Sequence, residues 1–257
     1  MPFHIKANPE DIAPIVFLPG DPDRAKYIAE NFFEDAKCYN TYRHLYGYTG
    51  MYKGHRVSIQ TTGMGCPSAS IVVNELIQLG AKVLIRIGTA GIVSRDVLPG
   101  DLIIATGSCP NEGTSTQMLQ GAAFAPVASF NVVQACNDVA VKSPFTRTNM
   151  DGSTEEAKVH VGLIQSEDAF YATNKGHVAG LDKLGVLAVE MEASALFLLG
   201  NLHRVQKGCI VVASNYIEDA AVVPDFLMKQ AVDHMATVSL DAAVLIYERG
   251  QDKLKTC

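Results

Sequence analysis

Short apolar runs alternate along the chain with longer stretches whose apolar residues recur at helical spacing. PIVFLPG (14–20) precedes DPDRAKYIAENF (21–32), RVSIQTTGMG (56–65) precedes CPSASIVVNELIQLG (66–80), and GVLAVEME (185–192) precedes ASALFLLGNLHRV (193–205). KVLIRIGTAG (82–91), GDLIIATGS (100–108), VHVGLIQSED (159–168) and GCIVVASN (208–215) are further strand-like runs. Repeated strand–turn–helix units predict an α/β fold around a largely parallel or mixed central sheet. Candidate sites then belong at the carboxyl ends of the strands. The segment 224–248 has helical apolar spacing and is expected to pack over the sheet. KSPFTRTNMDGSTEEAKVH (142–160) is polar and turn-rich, which predicts a surface excursion within one domain, not a linker between two. No internal repeat or low-complexity tract interrupts the pattern, so residues 1–257 read as a single domain.

Composition narrows the possible functions. With 48% hydrophobic and 19% charged residues, 257 residues suffice for one large core. A net charge of −6 disfavours sequence-independent nucleic-acid binding, which rests on a basic surface. Any phosphate site must therefore be a local pocket of arginines. Cys38, Cys66, Cys109, Cys136, Cys209 and Cys257 form no C-x-x-C pair and have no histidines at zinc spacing, so neither a metal centre nor a disulfide framework is expected. The opening MPFHIKANPED lacks the apolar core of a signal peptide, and no apolar run reaches the ~18 residues of a membrane span. A reducing, cytoplasmic setting without a membrane partner is the expectation.

Four segments carry candidate chemistry. LPGDPDR (18–24), Arg43 and RIGTAG (86–91) read as anion sites, because arginines present fixed donor forks and glycine turns expose backbone N–H groups. VEMEAS (189–194) is the opposite pole: Glu190 and Glu192, two residues apart, share a side if the strand continues, and carboxylates suit sugar hydroxyls. Together they supply what holding a phosphate beside a ribose requires. Each also has a structural reading. LPGDPDR makes a strand, a turn and a helix start capped by Asp21. Arg86, inside an apolar strand, needs an anion or a carboxylate partner, and a salt bridge to a glutamate satisfies it as well as phosphate does. Glu190 and Glu192 could cap a helix, although two acids between apolar runs are costly to bury without purpose. Phe170, Tyr171 and Met64 fit core packing as readily as a binding pocket. His4, in an extended terminal segment, has no claim to function from its surroundings.

LPGDPDRAKYIAE, YTGMYKG, TTGMGCPSASIVVNEL, RIGTAG, SEDAFYA and VEMEASALFLLG, in this order and spacing, resemble the hexameric branch of the nucleoside phosphorylase family, which comprises bacterial-type purine nucleoside phosphorylases and uridine phosphorylases. The resemblance spans nearly the whole chain. It implies a mixed, twisted sheet or barrel flanked by helices, assembled as a homohexamer, a trimer of dimers with sites shared across the dimer interface. By motif position it implies that Gly20, Arg24, Arg86 and Thr89 bind phosphate, joined by Arg43 from a neighbouring subunit. Met64, Met191 and Glu192 would hold the ribose, with His4 reaching from the neighbour to the 5′-hydroxyl, and Phe170, Val189 and Glu190 would line the base and sugar pocket. The implied reaction is phosphorolysis of a nucleoside, with phosphate as co-substrate and no metal or organic cofactor.

One departure is informative. Where adenosine-accepting bacterial-type members place an aspartate that protonates the base at N7, this chain has Asn215, and no arginine follows between Tyr216 and Met228. A carboxamide can accept from N7–H and donate to a 6-oxo group, but sets donor against donor at a 6-amino group. Inosine and guanosine are therefore expected over adenosine, with Asn215, Arg86 and Glu192 as the catalytic set. Uridine phosphorylase is the alternative; its uracil-reading arginines have no counterpart in ATNKGH (172–177) or after Asn215, where Tyr216 stands. A nucleosidase would not need Arg24, Arg43 and Arg86, and a non-catalytic nucleoside-binding protein would not need them beside Glu190 and Glu192.

Overall fold

Period-two alternation within the apolar runs decides how the layers stack. The computed structural model describes residues 2–148, 152–171, 175–218 and 223–253. In chain order the elements are β1 (Ile15–Leu18), α1 (Pro22–Phe32), β2 (Glu34–Asn40), β3 (Gly47–Tyr52), β4 (His55–Gln60), α2 (Cys66–Gln78), β5 (Val83–Ile92), β6 (Leu102–Asn111), α3 (Gly113–Leu119), α4 (Phe130–Ala140), β7 (Phe145–Thr148), β8 (Thr154–Ala157), β9 (Val159–Glu167), α5 (Lys175–Lys183), β10 (Val186–Glu190), α6 (Ala193–Leu202), β11 (Gln206–Tyr216) and α7 (Asp225–Glu248). Ile15 and Phe17 of β1 and Val83, Ile85 and Ile87 of β5 face a core formed with α1, α4 and α7. Val16, Leu18 and Leu84 face the opposite core, with Val72, Val73 and Leu76 of α2 and Leu196, Phe197 and Leu199 of α6. Successive strand residues thus serve two apolar layers, which is why the central strands read as unbroken hydrophobic runs.

Nine strands form one mixed sheet in the order β10-β9-β6-β11-β5-β1-β4-β3-β2, and a further antiparallel pairing of β10 with β5 closes β5, β11, β6, β9 and β10 into a barrel. The α/β expectation holds, and the long terminal helix forms over 225–248 as its spacing predicts. β2 and β3 escaped the sequence reading because β2 is a mostly exposed edge strand without apolar alternation.

The stretch 142–160 is more than a surface excursion. β7 and β8 pair as a hairpin, residues 149–151 lying outside the described set, and Arg147 of β7 is buried. Its Nη1 donates to Asp101 Oδ1 (2.7 Å) and to the Pro99 carbonyl (2.8 Å). Asp101, fully buried, also accepts from Leu98 N, Lys158 N and His160 Nε2. Burial pushes the Asp101 carboxyl up, but those donors and the Arg147 charge outweigh it and hold the carboxyl below its ordinary range. A folded-state pKa below the unfolded value of about 3.9 contributes stability that is complete above that value and is lost as pH falls through the folded one. Asp101→Asn is expected to cost about 1.5–3 kcal/mol near neutral pH, because Arg147 loses its buried counter-charge and keeps only the half-exposed Glu155, whose Oε1 lies 2.7 Å from Nη2. Urea melts of both proteins should show the difference shrinking below about pH 4.

Candidate active site

β5 carries one charged side chain into the layer between sheet and α2/α6. Arg86 lies on the Leu84 face, its side chain 7% exposed, with Nε 2.6 Å from Glu190 Oε2 and Nη2 2.5 Å from Glu192 Oε2. Gly88 makes the room: a Cβ there would stand 3.1–3.3 Å from the guanidinium atoms. Glu190 ends β10, and its carboxylate accepts from Glu192 N (2.8 Å), from Ala193 N and from the Ser166 hydroxyl, so it also satisfies the open amides at the start of α6. Glu192 has left the strand, and its Oε1 accepts from Gly65 N (2.5 Å). Gly63 (φ +71°) and Gly65 (φ +85°) occupy the left-handed region, which lets this turn meet the carboxylate. Burial opposes the charge on Arg86, yet Glu192 and Glu190 hold its pKa above the usual value. Burial raises the Glu192 carboxyl against the pull of Arg86, and the Glu190 charge adds to the rise.

Arg24 stands beside this cluster without such a partner. Asp21 caps α1 by accepting from Asp23 N (2.9 Å), and Pro22 opens the helix, as the sequence predicts. Gly20 packs on the second glycine turn, where a Cβ would lie 3.1 Å from the Gly63 carbonyl oxygen. Burial lowers the Arg24 pKa, Asp21 opposes the fall, and the Arg86 charge adds to it, so the two guanidiniums lie within each other's field. Among the described residues no group hydrogen-bonds the Arg24 guanidinium. A half-buried cation facing a like charge is a receptive site for an anion. Thr89, half-exposed, follows Gly88 on the same strand.

Asn215 sits in a bulge of β11. In the β5–β11 ladder Ala213 pairs with Ala90 and Tyr216 with Ile92, so Ser214 and Asn215 together oppose Gly91. Gly91 tolerates this because a Cβ would meet Ile217 at 2.8 Å. The single Ser214 hydroxyl proton serves either the Ala90 carbonyl (2.9 Å) or Asn215 Oδ1 (3.0 Å), and Asn215 Nδ2 donates to the Tyr216 carbonyl at 3.3 Å. One lone pair on Oδ1 and one hydrogen on Nδ2 remain for a ligand. Val189, paired with Gly91, packs with Ile217 in the same apolar cluster. Met191 is half-exposed between the two glutamates, whereas Met64 (81%), Phe170 (70%) and Tyr171 (96%) present large apolar surfaces to solvent, the two rings edge-to-face at 5.0 Å.

His4 lies apart from this centre, and Arg43 makes no contact with it among the described residues. His4 Nδ1 is 2.8 Å from Glu75 Oε1, and Glu75 lies ten residues beyond Gly65, roughly 15 Å along α2. Arg43 sits on an exposed turn with φ +55°, followed by His44 at φ +58°. Non-glycine residues in this region cost about 1–3 kcal/mol each. Lys6 Nζ stands 5.0 Å above the Tyr42 ring, so the His4 segment and the Arg43 turn share one surface.

Sequence reasoning did not single out Ser166, Gly65, Gly88 or Glu75. For Glu75 a signal existed: an acid among the buried helix positions Val72, Val73 and Leu76. Of the stretch 172–177, residues 172–174 lie outside the described set, as do Cys257 and residues 219–222. Among the described residues no helix is long and apolar enough to cross a membrane.

The sequence pattern of the Phosphorylase superfamily matches residues 14–246. A purine nucleoside phosphorylase of the DeoD type from Clostridium novyi (strain NT) is 46% identical over 218 residues, covering 84% of this chain and 88% of that protein. DeoD-type purine nucleoside phosphorylases from Bacillus thuringiensis (strain Al Hakam) and Bacillus cereus (strain B4264) are each 40% identical over 245 residues, covering 95% of this chain and 99% of theirs.

Arg86→Met should leave Glu190 and Glu192 buried without a counter-charge and cost about 3–5 kcal/mol, read as a lowered urea midpoint at unchanged m-value. A loss below about 1 kcal/mol would mean that the two carboxylates do not depend on Arg86.

Proposed function

The chain belongs to the phosphorylase superfamily, and on that premise we propose that it catalyses the reversible phosphorolysis of purine nucleosides, with inorganic phosphate as co-substrate and no metal or organic cofactor. The observation that carries the reading is Arg24, unpaired and in the field of Arg86, beside the buried pair Glu190 and Glu192. Two cations and a glycine turn suit a phosphate; the carboxylates and Met191 suit a ribose.

In the forward direction the bond from the anomeric carbon to the base nitrogen breaks with its electron pair going to the base, a hydrogen-phosphate oxygen forms the new bond to that carbon, and the proton that phosphate gives up passes through water to N7 of the departing base. Arg24 and Arg86, with Gly20 and Thr89, orient the nucleophile, and the phosphate charge supports the cationic sugar. Glu192 accepts from the sugar diol, and Glu190 fixes Arg86. Val189, Phe170 and Ile217 flank the base, and the free lone pair and hydrogen of Asn215 meet N7–H and a 6-oxo group. The base preference is therefore inosine and guanosine. Because His4 is fastened to Glu75 away from the chain's own Glu192, and Lys6 over Tyr42 puts the Arg43 turn beside that segment, the two serve a second copy, in a dimer that repeats into a hexamer. We assign this assembly to nucleoside salvage in the cytoplasm.

The first test follows release of free base from inosine, adenosine and uridine with and without phosphate. Inosine cleavage that requires phosphate is expected. Dominant uridine cleavage would overturn the base assignment, and cleavage without phosphate the mechanism.

Asn215→Asp should move the inosine-to-adenosine ratio of kcat/KM toward adenosine by roughly tenfold or more, about the worth of one mismatched hydrogen bond. An unchanged ratio would remove Asn215 from base recognition.

A further inference from the structure

We infer that Glu75 is the positioning residue that fixes the His4 imidazole as an acceptor for the 5′-hydroxyl of a sugar bound in a second copy's site. This rests on the reading just given, that the site takes a nucleoside, and deepens it.

Chain termini fray unless something ties them down. Here one carboxylate does so. Glu75, buried on α2, accepts from Phe3 N (3.0 Å), from His4 N (2.9 Å to Oε2), from Ile5 N (2.7 Å) and from His4 Nδ1 (2.8 Å). Ile5 is buried in the α2 core, and Lys6 N donates to Asn40 Oδ1 (2.9 Å), so the segment is fixed on both sides of His4. Burial pushes the Glu75 carboxyl up, but the bonds from His4, Ile5 and Phe3 prevail and keep it ionised below the ordinary range.

An ionised carboxylate only accepts, so the His4 nitrogen facing it must carry a hydrogen. The neutral ring then has its lone pair on Nε2. No group among the described residues bonds Nε2, and the side chain is 26% exposed. A bare imidazole nitrogen accepts a hydrogen bond from a hydroxyl and gains nothing from a methyl group. With the 5′-hydroxyl as that donor, substrates that keep it are favoured over 5′-deoxy analogues. The chain's own Gly65–Glu192 contact lies roughly 15 Å away along α2, so the lone pair serves a different copy. With an amide at position 75, the NH₂ group would face the backbone donors, and the ring would be free to turn.

The test uses the full-length protein and its His4→Ala, Glu75→Gln and double variants, comparing kcat/KM for inosine and 5′-deoxyinosine. Glu75→Gln should lower the inosine value about tenfold, the worth of one hydrogen bond, mainly through KM, and leave 5′-deoxyinosine within about twofold. The double variant should be no worse on inosine than His4→Ala. Equal losses on both substrates, or no loss on either, would overturn the positioning role. An unchanged substrate ratio in His4→Ala would overturn the sugar contact itself, whatever Glu75 does. A measurement on the wild type needs no folded variant: nitrogen-15 histidine spectra, with His4 identified by its absence in His4→Ala, should show protonated Nδ1 and bare Nε2. The opposite tautomer would refute the proposal.

Discussion

Arg86 is held between Glu190 and Glu192 with almost no access to water, and several separate segments must be in register for that to happen. The end of β10 delivers Glu190, the start of α6 delivers Glu192, and the turn before α2 fixes Glu192 through Gly65 N. A buried charge without a partner is costly, so each segment constrains the others. Ser166 of β9 adds a fourth, and Ser108 of β6 bonds Ser166 at 2.8 Å, extending the network across the barrel strands. The ion cluster is thus the point where the sheet, two helices and a glycine turn are tied together.

Arg86 occupies that position because β5 changes neighbours along its length. Val83–Arg86 pair with β1, whereas Gly91 and Ile92 pair with β10. Between those pairings β5 has no strand beside it on that side, and the carboxyl end of β1 turns away at Gly20. Divergence of neighbouring strands at their carboxyl ends opens a crevice in α/β sheets, and here it leaves Thr89 half-exposed, next to buried Gly88, beside the two guanidiniums. On the other side of β5, the bulge at Ser214–Asn215 breaks the ladder with β11 opposite Gly91. The phosphate pole and the base pole of the proposed site are therefore set by one strand, through a change of partner and through a bulge.

What the sequence disclosed follows from which signals are local. Asp21 as a cap, the helical spacing of 224–248 and the apolar runs of β1 and β5 depend on neighbours in the chain, and each was legible. Arg86 showed as a charge in an apolar strand, though whether it met an anion or a carboxylate was open; the structure gives it two carboxylates and leaves Arg24 as the unpaired cation. The bulge at Asn215, the left-handed turn at Arg43 and the tie between His4 and Glu75 depend on register or on contacts across long sequence separations, which periodicity does not encode. Arg147 was hidden for the same reason: its partner Asp101 lies 46 positions away, so a polar hairpin read as a simple excursion.

Charge balance then explains why the proposed site needs residues that lie elsewhere on the surface. Arg24 and Arg86 bring two positive charges to the centre, and Glu190 and Glu192 bring two negative ones. The cluster is neutral before any ligand arrives. Arg24 faces an entering phosphate, but the cluster as a whole offers it no net charge, and burial, with the Glu190 charge adding to it, raises the Glu192 carboxyl against the pull of Arg86. A further cation is required. Arg43 is exposed, held in a strained turn and placed on the same surface as His4, which Glu75 fastens well away from the chain's own Glu192. A cation so placed can complete a second copy's phosphate site while His4 completes its sugar site, which makes association of copies a condition of the proposed chemistry and not an addition to it.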